Sequence, residues 1–172
     1  MGVKVQIINK SQFDLPQYAT IGSAGMDVRG DFSLFGQVMM GDPIGVGCAV
    51  ATVDEEGYPL GIYIPPHARI LIPTGIYIAL PKGYEMQVRP RSGLALKYGL
   101  TVLNSPGTID ADYRGECKTI LINTSDEPVT IAHGERICQW VLKEVPQVEW
   151  VPTDSLDETV RGEGGFGHTG KK

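Results

Sequence analysis

The stretch Thr108-Ile109-Asp110-Ala111-Asp112-Tyr113-Arg114-Gly115 sets two carboxylates, a phenol ring and a guanidinium between two β-branched runs. A carboxylate held in such a turn can serve as a general base, and a hairpin offers backbone donors and acceptors to a planar ligand. Taken alone, the same residues read as a charged surface turn. A second group, Arg89-Pro90-Arg91-Ser92-Gly93, opens a run of helix formers through Tyr98 that Gly99 closes. Free N–H groups, the positive end of a helix dipole and guanidinium groups would converge there, which suits an anion. Its bland alternative is a connector helix with solvated arginines. The third group is Arg161-Gly162-Glu163-Gly164-Gly165-Phe166-Gly167-His168-Thr169-Gly170, where glycines would let the backbone approach a phosphate or simply leave a loose end.

The elements that must position these groups are short. With 22 glycines and 12 prolines among 172 residues, turn formers punctuate β-branched runs throughout the chain. Two-residue alternation predicts strands over 3–8, 69–73, 75–80, 84–89, 100–103, 117–123, 129–132 and 137–145. This is an all-β pattern, and many short strands with tight turns favour a barrel or jelly roll. One helix is expected over 92–98, with Ser92 as its N-cap and Gly99 as its stop. Residues 31–62 differ in character, and their turn chemistry predicts an inserted hairpin pairing 49–53 with 60–64. The expected organisation is therefore a β-domain over 1–160 carrying that insertion, followed by a mobile tail over 161–172 that is too poor in apolar residues to fold alone.

Composition narrows the partners. A formal net charge of −5 supplies no basic footprint for a nucleic-acid backbone, so no nucleic-acid partner is expected. Cys48, Cys117 and Cys138 are odd in number and widely spaced, which suggests neither a disulfide framework nor a zinc site. No apolar leader core occupies residues 1–10, and no uncharged run approaches the ~20 residues of a membrane helix. The expectation is a cytoplasmic protein with no membrane partner.

Five separated segments, in order, resemble the five motifs of the trimeric dUTPases. They are Ala24-Gly25-Met26-Asp27, Pro90-Arg91-Ser92-Gly93-Leu94-Ala95, residues 107–115, Arg136-Ile137-Cys138-Gln139, and residues 161–170. Apart from 31–62, the resemblance spans nearly the whole chain. It implies a homotrimer of jelly-roll-like barrels with shared active sites, which hydrolyses dUTP to dUMP and pyrophosphate with Mg²⁺. Such an activity limits uracil incorporation into DNA and supplies dUMP for dTMP synthesis.

The resemblance also implies roles. Asp110 would hold and activate the water that attacks the α-phosphorus, with Gln139 orienting that water or a phosphate oxygen. Arg91, Ser92 and Gly93 would cradle phosphates, and Asp27 would hold Mg²⁺ through water while substrate oxygens supply most of its ligands. Tyr113 would pack on the deoxyribose where a 2′-hydroxyl would collide. Uracil would lie in the hairpin around Asn104, Thr108, Ile109 and Lys118, read by main-chain groups. From the tail, Arg161 would meet the γ-phosphate and Phe166 would close over uracil beside Gly167, His168 and Thr169. Arg136 reads as structural.

Two features depart from the family pattern: His168 stands where many relatives carry Ser, and the 31–62 insertion has no assigned role. Two other functions fit the same elements. A dCTP deaminase of this fold would need a catalytic glutamate in the strand after the hairpin, where Ile120 stands instead. A non-catalytic jelly-roll module needs none of the polar residues named above.

Overall fold

The computed structural model describes residues 2–35, 50–57 and 59–165. Its twelve strands are β1 (Gln6–Asn9), β2 (Met26–Arg29), β3 (Val50–Val53), β4 (Pro59–Ile64), β5 (Arg69–Ile72), β6 (Ile76–Ala79), β7 (Tyr84–Arg89), β8 (Leu100–Val102), β9 (Gly107–Ile109), β10 (Thr119–Asn123), β11 (Val129–Ala132) and β12 (Arg136–Glu144). The helix α1 spans Ser92–Tyr98, and a 3₁₀ turn covers Phe32–Phe35. Pairing is antiparallel in every sheet, with orders β1-β6, β5-β10-β8, β11-β4-β3 and β2-β12-β7-β9. The all-β, jelly-roll-like expectation with one short helix holds.

Alternation explains which side of each strand is inside. In β10 the pattern buries Thr119, Leu121 and Asn123, and in β5 it buries Ile70 and Ile72. These join Val28, Phe32, Ile62, Ile64, Leu100, Ile131, Ile137 and Trp140 in one core. Asn123 is fully buried yet fully employed: its amide donates to the carbonyls of Ile64, Pro65 and Glu127, and its Oδ1 accepts from the Ser125 N–H and hydroxyl. It ties the end of β10 to the end of β4, which is how a buried amide side chain becomes tolerable.

Several expectations shift. The first strand begins at Gln6 rather than Val3, because its ladder with β6 runs only from Gln6 opposite Ala79 to Asn9 opposite Ile76. Ser92 is the first helical residue and not the N-cap; Arg91 caps with extended backbone and no side-chain bond, its carbonyl accepting the first helical bond from the Ala95 N–H at 3.0 Å. Gly99 closes the helix in the left-handed conformation (φ 65°), as expected. The strands β2 and β9 escaped the pattern altogether. Within 31–62, β3 and β4 form a hairpin, while Phe32, Ile62 and Ile64 belong to the core and β4 also pairs with β11. Residues 36–49 and 58 of that segment lie outside the described residues.

Candidate active site

Two clusters of polar residues stand on the sheet β2-β12-β7-β9. The first surrounds a cavity of about 280 Å³ lined by Asn104, Gly107, Thr108, Ile109, Asp110, Tyr113, Glu116, Lys118 and Ile120, among others. The strand β9 builds its floor, placing Gly107 opposite Val88 and Ile109 opposite Met86. Gly107 and Ile109 point inward, and Ile109 is itself part of the core. The Asn104 amide lies so close to Gly107 that an added Cβ would crowd it.

Asp110 follows at the exposed end of β9, and its carboxylate makes no hydrogen bond or ion pair among the described residues. Its carbonyl accepts from the Tyr113 N–H at 3.2 Å, closing a turn that Arg114 reinforces by donating to the carbonyls of Ala111 and Tyr113, each at 2.7 Å. The Tyr113 hydroxyl donates to the Glu116 carbonyl at 3.0 Å, and the ring covers Gly115, where any Cβ would overlap it. Lys118 pairs with Glu116 at 3.4 Å. Cys117, also in the wall, is held toward the protonated thiol, the less reactive form: burial pushes it up to about 11, and the adjacent Glu116 adds to the shift.

The second cluster joins residues from three distant parts of the chain. Asp27 Oδ2 meets Arg91 Nε at 3.2 Å and Arg136 Nη1 at 3.1 Å, and Arg91 also donates to the Arg136 carbonyl at 2.9 Å. Gln139, level with Asp27 on one side and Arg89 on the other, donates to the Pro90 carbonyl at 2.9 Å. Gly25 lies under the Gln139 side chain, and a Cβ there would overlap Oε1. Ser92 and Gly93 are exposed at the start of α1 beside Arg91. Arg136, read as structural, thus works as the second clamp on Asp27.

Within one chain these clusters stay apart. Ile109 faces Met86, whereas the second cluster is level with Arg89, three residues further along β7, or about 10 Å at the usual strand rise. Arg161 joins neither: its hydrogen bond among the described residues is local, from Nε to the Gly164 carbonyl at 2.8 Å. Phe166, Gly167, His168 and Thr169 lie outside the described residues. The segment from 146 to 163 is exposed throughout, Trp150 and Leu156 at 85% each. Sequence reasoning missed Glu116, and the only hint was an acid immediately after Gly115, two residues before Lys118.

The chain is an all-β, jelly-roll-like domain with a carboxylate-bearing hairpin pocket and a separate arginine cluster. The dUTPase family model matches residues 58–170. A deoxyuridine 5'-triphosphate nucleotidohydrolase of Fusobacterium nucleatum is 48% identical over 169 residues, covering 98% of each chain. One from Finegoldia magna is 47% identical over 168 residues, covering 98% of this chain and 99% of its own. Among solved structures, a dUTPase of Staphylococcus bacteriophage 80alpha with dUpNHpp superposes with a TM-score of 0.73 at 20% identity, over 97% of this chain and 98% of that one. A dUTPase from phage phi11 of S. aureus, described with a structural Mg(II) ion, has a TM-score of 0.66 at 16% identity, over 90% of this chain and 99% of that one. The chain belongs to the dUTPase family.

Proposed function

We propose that this chain hydrolyses dUTP to dUMP and pyrophosphate through attack of water on the α-phosphorus. The observation that carries the reading is the Asp110 carboxylate, unpartnered among the described residues, at the rim of a pocket walled by Tyr113 and Asn104. An acceptor with no competing internal partner is ready to take a proton from water, the task of a general base. Tyr113 offers its ring to the sugar, and the exposed main-chain edge near Thr108 and Ile109, with Asn104, offers pairing groups to uracil. Lys118 borders the same pocket.

Phosphoryl transfer asks the protein mainly for position and positive charge. Arg91, Ser92 and Gly93 would supply these to the phosphates, with Gln139 orienting the water or a phosphate oxygen and Arg161, Phe166, Gly167, His168 and Thr169 closing from the tail. Among the described residues no group of three His, Cys, Asp or Glu side chains could hold a metal. With Asp27 Oδ2 shared by two guanidinium groups and Oδ1 outside those pairs, the donor set fits an ion that arrives on the substrate and touches Asp27 through water. Mg²⁺ held in this way would neutralise charge on the triphosphate.

The separation of the two clusters within one chain, together with the exposed segment 146–163, supports a homotrimer in which hairpin, cradle and tail come from different subunits. A deaminase reading is disfavoured because Ile120 lines the pocket where that chemistry needs an acid, and Glu116, the pocket's other carboxylate, is already bonded through both oxygens. The test is pyrophosphate release from dUTP, dTTP, dCTP and UTP, with and without Mg²⁺. Selective turnover of dUTP is expected, and equal turnover of all four would overturn the substrate assignment.

A further inference from the structure

Beyond Ile109 the hairpin leaves its strand ladder, and until Thr119 side-chain bonds join two backbone bonds in holding it in place. Glu116 gathers most of them. Its Oε1 accepts from the backbone N–H groups of Thr74 (3.0 Å) and Gly75 (2.9 Å), and its Oε2 faces Lys118 Nζ at 3.4 Å. Its own carbonyl receives the Tyr113 hydroxyl at 3.0 Å. Hydrogen bonds to an ionised acceptor are roughly twice as strong as neutral ones, so two of them on one oxygen make a firm grip.

What Glu116 grips is itself rigid. Thr74 Oγ1 donates to the Cys117 carbonyl at 2.6 Å and accepts from the Ile76 N–H, while the Cys117 N–H donates to the Ile76 carbonyl at 2.8 Å. Gly75 has φ +69° and sits against Ser11 so closely that a Cβ would collide with its backbone, and its carbonyl accepts from the Lys10 N–H. The β5–β6 turn is thus an anchored post, and the loop bearing Tyr113 is tied to it through one carboxylate. The Tyr113 ring is held at three places: beneath by Gly115, at its hydroxyl by Glu116, and along its backbone by the Asp110 turn.

We propose that Glu116 is a positioning residue that fixes the Tyr113 ring in the sugar pocket and so sets how sharply a 2′-hydroxyl is rejected. The proposal rests on the role given to Tyr113 above. It is tested by measuring kcat/KM for dUTP and UTP in Glu116→Ala, Glu116→Asp, Glu116→Gln and Tyr113→Ala, with thermal melting of each. Glu116→Gln keeps an acceptor oxygen toward Thr74 and Gly75 and should hold the UTP:dUTP ratio near that of the parent. Glu116→Ala removes the tie, and Glu116→Asp withdraws the carboxylate by one carbon. Both should raise the ratio about tenfold or more, since displacements near 1 Å have large effects on rate. Should Glu116→Ala fail to fold, Glu116→Asp gives the same readout with the charge retained. If Tyr113→Ala raises the ratio while Glu116→Ala and Glu116→Asp leave it at the parental value, the positioning role is overturned and the role of Tyr113 stands. If Tyr113→Ala itself changes nothing, both fall together. A shift in Glu116→Gln as large as in Glu116→Ala would also overturn the acceptor role.

Discussion

Asp110 and Glu116 are carboxylates in one cavity with opposite situations: the first has no partner among the described residues, and the second has its oxygens taken by two N–H groups and an ammonium. That contrast is what supports the proposal of Asp110 as the general base. Asp110→Asn should leave KM for dUTP within a few-fold and lower kcat by about a hundredfold or more, the usual worth of a general base. Steady-state kinetics decides, and lost binding with parental kcat would contradict the role. Thiols give a second prediction. Burial pushes Cys117 up to about 11 and Cys138 up to about 12 from an ordinary 9.0, so the folded chain keeps protons that the unfolded chain releases. The stability this gives is complete below pH 9 and is lost as pH rises toward 11 and 12. Comparing melting temperatures at pH 8 and about 10.5, Cys138→Ala should show a smaller alkaline drop than its parent; an equal drop would mean that other groups control it. Asp110, Tyr113 and Arg91 were singled out because their segments match family motifs in order, although taken alone they read as a surface turn and a connector helix. Glu116 was not, because its partners are backbone N–H groups 42 and 41 residues away, and a backbone N–H has no residue type to recognise.

The strands that sequence pattern found are those whose alternation serves the core, such as β7 and β11, both placed at their true bounds. The two it missed carry residues of the candidate site. In β2 the outward positions hold Asp27 and Arg29 and in β9 the strand has three residues opening with glycine, so neither presents enough apolar alternation. The helix was legible from Gly99 and its helix formers, but Ser92 looked like a cap because side-chain type suggests the capping bond that backbone conformation decides; here Arg91 is already extended and no side chain caps. Between elements, the Asn123 amide is the main joint. Asn123→Ala would leave the Ser125 N–H without its acceptor and take a donor from the Ile64 carbonyl, while the Pro65 carbonyl keeps the Ala68 N–H and the Glu127 carbonyl keeps the Ser125 hydroxyl; it should cost about 3 kcal/mol, given roughly 1–3 kcal/mol for each buried group left unsatisfied. Urea denaturation measures this, and a loss below about 1 kcal/mol would show that water replaces the amide.

For the whole molecule, the distance between hairpin and cradle along β7 predicts complementation between subunits. A chain carrying Asp110→Asn and a chain truncated after Thr159 should each be nearly inactive. Unfolded together and refolded, they should regain activity up to the fraction set by random mixing, because some sites then pair an intact hairpin with an intact tail. A mixed, correctly assembled oligomer without activity would refute the shared site. The motif resemblance implied such a division, but order along the chain by itself did not, since it says nothing about which copy of the chain a motif faces.

The two tryptophans divide the molecule's fluorescence between them. Trp140 is 2% exposed within the core and Trp150 is 85% exposed on the segment that follows β12. Light emitted at shorter wavelength therefore belongs to the barrel, and light emitted at longer wavelength belongs to the outlying arm. A Trp150→Phe variant isolates barrel unfolding, and subtracting its spectrum from the parent's leaves a native reporter of whatever comes to cover the arm, with no dye attached.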